Sequence, residues 1–430
     1  MGKTNAVAKL GVIGLGGRGR GLLECLLGME DVEITAICDQ YEERLELGLE
    51  IVQKSGRTLA DGYSDYKKLL AREDLQGVII ATTWVTHAEI AIAAMKAGKY
   101  AGIEVGGAAS LEECWELVRT SEQTGMPCML LENCCYGREE LAVLNMVKQG
   151  LLGELIHCQC GYEHDLRDEV ALGEQRKHNR YHNYLNRNGE LYPIHGLGPI
   201  SKVLDINRGN RLLTLTSMSS KARGIQHLAT EKFGETDPLA KINFAQGDIV
   251  TTMIKCAGGE TIHIIHDTTL PRPYSRAGRV QGTKGIWMED NNSIHIEGRS
   301  PEHQWESFDE YREQYEHPIW KQYLDEGVRG GHGGMDYLVL RAFAESVMNQ
   351  TQTPIDVYDT AVWMAITVLS EESVALGSAP VAIPDFTKGK WISREAGPVS
   401  YYSLDAVHEE REIGYFAEPN RIPLSGDQPN

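Results

Sequence analysis

A phenol and an imidazole stand three residues apart in "LYPIHGLGP" (191–199): Tyr192 and His195, with Pro193 between them and Gly196, Gly198 and Pro199 behind. Both side chains can donate and accept a proton, and neither brings the full charge of a carboxylate to a reacting centre. Pro193 stiffens the backbone that separates them. A lone tyrosine–histidine pair is more often a satisfied structural pair, so its meaning depends on what the rest of the chain brings to it.

What the chain brings is a dinucleotide fingerprint. "GLGGRG" spaces Gly14, Gly16 and Gly19 as G-x-G-x-x-G, directly after the apolar run "KLGVIGL" (9–15) and at the opening of a helical stretch (18–29). Gly14 permits the tight turn, Gly16 lets a pyrophosphate approach the backbone, and Gly19 lets helix and strand pack closely. Asp39 follows twenty residues after Gly19, at the end of a second strand, "VEITAICD" (32–39). Its carboxylate would accept the ribose 2′-hydroxyl and repel a 2′-phosphate, which makes NAD the expected cofactor. Arg18 and Arg20 stand close enough to blunt that preference.

The elements around the fingerprint alternate. Strands "GVIIATT" (77–83), "AGIEV" (101–105) and "CMLLEN" (128–133) are separated by the helical stretches "HAEIAIAAMKAGK" and "LEECWELVRTSEQTG". This is βαβ repetition, so a parallel sheet covered on both faces is expected. Trp84 and His87 follow the 77–83 strand, where sheet-end loops reach a cofactor; His87 serves equally well as a helix-start residue. After about residue 155 the pattern changes to hairpins, one over 244–269 turning at Gly258-Gly259 and one over 278–298 turning at Asn291-Asn292. Two helices, 335–350 and 357–376, close the fold. The predicted architecture is therefore α/β followed by α+β: a Rossmann domain over 1–150, an open, mainly antiparallel sheet domain over 151–395, and a polar tail over 396–430. There is no internal repeat.

Composition narrows the function. A chain of 430 residues with a formal charge of −19 lacks the basic face that nucleic acid or an anionic membrane surface requires. No apolar run reaches membrane-spanning length. The nine cysteines are odd in number and show no C-x-x-C spacing, which suits reduced thiols and a cytoplasmic setting. No signal peptide is visible; a removed leader would instead place the protein in the periplasm or outside. Cys158 and Cys160 beside His157 are read as one face of a strand rather than a metal site, and no metal is expected.

A dinucleotide domain followed by an open sheet resembles the glucose–fructose oxidoreductase/inositol dehydrogenase (Gfo/Idh/MocA) family. That family carries Glu-Lys-Pro where this chain has Glu104, Val105 and Gly106, and an aliphatic side chain cannot relay a proton. The branch matching this departure is glycoside hydrolase family 109, the NAD-dependent α-N-acetylgalactosaminidases. The chain is similar to it in "ENCCYGREELAVLNMVKQG" (132–150), "NRYHNYLNRNGELYPIHGLGPISKVLDINRGNR" (179–211), "TSMSS" (216–220) and "GHGGMDYLVLRAF" (331–343).

The resemblance implies a substrate pocket of Tyr136, Arg180, Tyr192, His195 and Tyr274, with Glu104 beside the nicotinamide. It implies a glycan or small molecule ending in N-acetylgalactosamine as substrate, and a homo-oligomer formed through the open sheet. It also implies a redox-neutral route: oxidation at C3, loss of the C2 proton, expulsion of the C1 oxygen, addition of water, and re-reduction. On that route His195 takes the C3 hydroxyl proton and Tyr136 the C2 proton. Tyr192 and Arg180 position the sugar, and Glu104 assists the leaving group or water. The alternatives are a net sugar or inositol dehydrogenase and a silent NAD/sugar sensor. His332 is balanced between a pocket and a turn role, and His182 and Tyr184 are read as packing neighbours.

Overall fold

The computed structural model describes residues 7–173, 175, 179–394 and 400–405. Six short strands form a parallel sheet, almost wholly buried except at the exposed edge strand β3: β1 Ala8–Ile13, β2 Val32–Cys38, β3 Asp61–Tyr63, β4 Gly77–Ile80, β5 Tyr100–Ile103 and β6 Cys128–Leu130. Their order is β3-β2-β1-β4-β5-β6, so the chain reverses direction between β1 and β4 and a crevice opens at the carboxyl ends of those two strands. Helices Gly17–Leu27 and Trp84–Lys96 begin at that crevice. The strand read as 77–83 ends at Ile80, and Ala81–Thr83 peel away to start the second of these helices.

Nine strands make the second sheet: β7 Leu155–Glu163, β8 Leu212–Ser219, β9 Ile249–Cys256, β10 Thr261–Asp267, β11 Arg279–Gly282, β12 Gly285–Met288, β13 Ser293–Ile296, β14 Glu306–Ser307 and β15 Val381–Ala382. β7 and β10 run parallel at its centre, and every other neighbouring pair is antiparallel. β9 and β10 turn at Gly259 (φ +106°), as expected from the glycine pair. The 278–298 segment differs from expectation. It holds three strands, because Gly282 pairs with Gly285 across an added two-residue turn, Thr283-Lys284. Thr-Lys carries none of the usual hairpin signal.

Helices Met335–Asn349 and Val357–Ala375 return to the first sheet despite their late place in the sequence. Gly102 of β5 has only 3.2 Å of room before the Phe343 ring, and the Leu130 amide of β6 donates to Thr360 Oγ1 at 3.1 Å. Of the predicted tail, 400–405 lies on the body: Leu404 is buried, and Asp405 pairs with Lys202 at 3.0 Å and with Arg208 at 2.6 Å. Residues 406–430 lie outside the described residues. Among the described residues no helix is long and apolar enough to cross a membrane.

Candidate active site

One cavity of about 770 Å³ runs from the glycine loop to Tyr192 and His195. At its nucleotide end, Gly14 adopts φ +94°, and a Cβ there would lie 2.6 Å from the Ala81 carbonyl. A Cβ at Gly19 would overlap the Gly14 carbonyl oxygen. Gly16 is different: its nearest neighbour would be Arg44 Nη1 at 3.8 Å, so the loop is open on the side that faces the cavity. That cradle, at the N-terminus of helix Gly17–Leu27, fits a pyrophosphate. Asp39 lines the cavity with its carboxylate fixed by the amides of Leu15 (2.7 Å) and Tyr41 (2.9 Å). Arg20 turns back to the Leu15 carbonyl (2.7 Å) and Arg18 turns to Glu104 and Asp336, so neither is spent on a 2′-phosphate.

Trp84 and His87 both line the cavity. Burial pulls the His87 pKa down to about 4, so the ring is neutral, and Nε2 lies 3.2 Å from the Thr82 carbonyl. The Trp84 indole occupies the space a side chain at Gly106 would need. A Cβ at Gly107 would likewise overlap Thr367. The two glycines of "EVGG" are thereby explained: the Trp84 indole and Thr367 fill the space that side chains at 106 and 107 would need. Glu104 is at the cavity but not free. Oε1 accepts from Arg18 Nε at 2.6 Å and Oε2 from the Val105 amide at 2.8 Å.

The segment around Tyr192 is helical, Ile194–Val203, and its glycines serve close packing rather than softness. A Cβ at Gly196 would lie 2.6 Å from the Gly161 amide of β7, and one at Gly198 would lie 2.9 Å from Glu132 Cγ. The bare backbone at 198 admits Glu132, a residue the sequence did not single out. Glu132 is fully buried, with Oε1 and Oε2 at 2.8 and 3.0 Å from His195 Nδ1, and Oε1 also accepts from the Cys134 amide at 2.8 Å. The donor atoms of Glu132, Cys134 and His195 lie within 4.8 Å of one another, but the carboxylate already serves the imidazole and an amide.

Tyr192 packs edge-on against His195 (4.9 Å between centroids), beside Tyr162 (4.5 Å) and Trp84 (5.6 Å). Burial raises its pKa well above that of a free phenol, so it holds its proton. The Arg180 guanidinium stands 5.2 Å from the Tyr192 ring and pairs with Glu169. Tyr162 and His164 belong to the same lining, joined by a 3.1 Å hydrogen bond between the hydroxyl and Nδ1. Desolvation, with Arg180 nearby, lowers the His164 pKa. Tyr162 continues the alternation of Cys158 and Cys160 along one face of β7, and His164 lies one residue past the end of that strand.

Two implied pocket residues sit elsewhere. Tyr136 is fully buried and donates to the Tyr402 carbonyl at 2.9 Å; the short turn Asn133–Tyr136 carries it away, and Asn133 faces the cavity instead. Tyr274 is about half exposed and stands behind His164, edge-on at 5.1 Å, outside the lining. Tyr184 is a packing residue, bonded to Thr268 (2.6 Å) and His266 (3.1 Å), while His182 is exposed.

His332 does reach the cavity. It sits at φ +51° in a turn with Gly330, Gly333 and Gly334 also at positive φ, and its Nδ1 lies 2.8 Å from Asp336 Oδ2. The hydrogen bond that His332 donates to the Asp336 carboxylate raises the His332 pKa. Burial opposes ionisation of Asp336, but His332 and Arg18 hold its pKa below the usual carboxylate range. Asn133 Nδ2 adds a 2.8 Å bond to the same carboxylate.

Comparison with known proteins agrees with this division. Residues 8–131 match the NAD-binding Rossmann fold of the oxidoreductase (Gfo/Idh/MocA) family, and residues 136–393 match the C-terminal domain of glycosyl hydrolase 109. An α-N-acetylgalactosaminidase of Tannerella forsythia is 43% identical over 92% of this chain and 89% of its own. A glycosyl hydrolase family 109 protein of Stenotrophomonas maltophilia is 46% identical over 90% of both chains. In fold, the chain resembles an NAD-binding oxidoreductase of Klebsiella pneumoniae (TM-score 0.67, 16% identity, 88% of this chain and 99% of that one). It also resembles levoglucosan dehydrogenase in complex with NADH and L-sorbose (TM-score 0.66, 18% identity, 88% and 99% coverage). The chain therefore combines an NAD-binding Rossmann domain with the domain of a glycosidase, and it belongs to glycoside hydrolase family 109.

Proposed function

We propose that the protein hydrolyses terminal N-acetylgalactosaminides by a redox-neutral route in which NAD is regenerated at each turnover. The observation that carries this reading is the single cavity joining the dinucleotide cradle to a cluster of imidazoles and phenols, with Val105 where a dehydrogenase lysine would stand. NAD held by the glycine loop (14–19) and Asp39 would supply reversible hydride exchange at C3 of the sugar.

The protein's own groups move the protons. His195 takes the C3 hydroxyl proton through Nε2, because Nδ1 faces Glu132. The resulting C3 ketone acidifies the C2 hydrogen. With Tyr136 sealed against Tyr402, that proton passes to His164, whose lowered pKa keeps it neutral and able to accept. His332, its pKa raised by Asp336, donates to the C1 oxygen as that bond breaks. Water then adds at C1 and gives its proton to His332. His164 and His195 return theirs to C2 and to the C3 oxygen. Arg180 and Tyr192 hold hydroxyl and acetamido groups in register, and Glu104 orders Arg18 at the loop rather than acting as a base. General acid–base steps of this kind each supply roughly 10²–10⁴-fold.

Hydrolysis of para-nitrophenyl α-N-acetylgalactosaminide without added NAD, with the NADH absorbance followed in parallel, tests the proposal. Many turnovers of nitrophenol with no accumulating NADH support it. NADH growing in step with substrate consumed would mean a net dehydrogenase and overturn it. The outer face of the second sheet exposes Met218 and Met253, which supports the homo-oligomer that the family resemblance implies.

A further inference from the structure

We propose that Glu132 is the positioning residue of His195: its carboxylate fixes the imidazole with the proton on Nδ1 and the lone pair of Nε2 directed at the sugar. This rests on the reading of His195 as the base for the C3 hydroxyl. Glu132 comes from the loop after β6, 63 positions before His195, so no local spacing links the two. Three features hold it in place. The carboxylate is completely buried, the Cys134 amide donates to Oε1, and the absent side chain at Gly198 leaves the notch its Cγ fills.

Both carboxylate oxygens lie within hydrogen-bond reach of the same ring nitrogen, at 2.8 and 3.0 Å, so sliding the carboxylate does not release the ring. A carboxylate has no hydrogen to donate and therefore requires one on Nδ1. That choice leaves Nε2 as the acceptor whenever the ring is neutral, which is the form a base needs. A buried carboxylate of this kind also offsets the positive charge that appears when the ring takes up the C3 proton. Tyr192 packs edge-on against the ring at 4.9 Å, so the carboxylate and the phenol together restrain its orientation.

The test compares the wild-type holoenzyme with Glu132→Gln and, separately, Gly198→Ala. The first removes the charge at almost constant shape. The second keeps the charge but places a methyl group 2.9 Å from Glu132 Cγ and pushes the carboxylate off the ring. Ring ¹⁵N shifts of His195, which need no substrate, are expected to show the neutral proton on Nδ1 in wild type and a mixture of tautomers in both variants. On the glycoside, kcat is expected to fall ~10²-fold with KM changed less than about threefold, as for loss of a group that orients a working histidine. A wild-type ring protonated on Nε2 would overturn the assignment. So would unchanged tautomer and kcat in either variant that retains bound NAD. The tautomer shift seen in a protein that hydrolyses no glycoside would uphold Glu132 and sink the glycosidase reading alone.

Discussion

Arg18 reaches Asp336 through both terminal nitrogens, at 2.6 and 2.9 Å, across 318 positions of the chain. The same guanidinium holds Glu104, so one side chain of the glycine loop ties the nucleotide cradle to the turn that carries His332. Asp336→Asn is expected to keep one hydrogen bond and lose the charge. Bound NAD should leave faster, and kcat should fall ~10-fold or more through His332. Dissociation of the reduced cofactor, NADH, followed by its fluorescence, alongside turnover, checks both; unchanged rates would show the bridge to be idle.

The same pair fixes a pH dependence. His332 is raised above its ordinary 6.5, so its contribution to stability is complete below that value and is lost as pH climbs through the raised pKa. Asp336 is depressed below its ordinary 3.8, so its contribution is complete above that value and is lost only as pH falls through the lower pKa. Activity that needs protonated His332 should therefore decline on the alkaline side, and Asp336→Asn should move that limb to lower pH. A pH profile of kcat/KM in the variant that overlays wild type would remove His332 from the acid role.

Trp84 and Gly106 make a second expectation concrete. Gly106→Ala forces a methyl group into the indole and should destabilise by about 1–3 kcal/mol, the range for overpacking a filled site. In a Trp84→Ala background most of that penalty should vanish. Thermal melts of the four proteins form the cycle, and equal penalties in both backgrounds would mean the two residues do not share the space.

Tyr136 and His195 should separate cleanly. Tyr136→Phe strands the Tyr402 carbonyl and is expected to cost about 0.5–1.5 kcal/mol in unfolding while leaving kcat within about threefold. His195→Gln should lower kcat by ~10²-fold or more with the fold intact. A collapse of kcat in Tyr136→Phe would return that phenol to the chemistry.

The nucleotide half was legible because its signals are local. Gly14, Gly16, Gly19 and Asp39 lie within one βαβ unit, and each spacing has a steric or electrostatic cause. The substrate half was legible only in part. Tyr192, His195 and Arg180 share one sequence segment and one cavity. Glu132 was missed because its partner is distant in the chain and its place depends on a missing Cβ at Gly198. Tyr136 was misplaced because a short turn decides which of four successive side chains faces inward, and types and spacing do not encode that rotation. The extra turn at Thr283-Lys284 escaped because its residues carry no turn preference and Gly282 and Gly285 read equally well as strand.

Helices Met335–Asn349 and Val357–Ala375 cover the sheet that the first third of the chain builds. A ribosome releasing this protein from its N-terminus holds a nucleotide-binding sheet whose Gly102 face and Leu130 amide have no cover until more than 200 further residues have emerged. The dinucleotide fold of this protein is thus completed late, after eight of the nine strands of the second sheet have emerged, and a fragment ending near residue 150 is expected to aggregate rather than bind NAD.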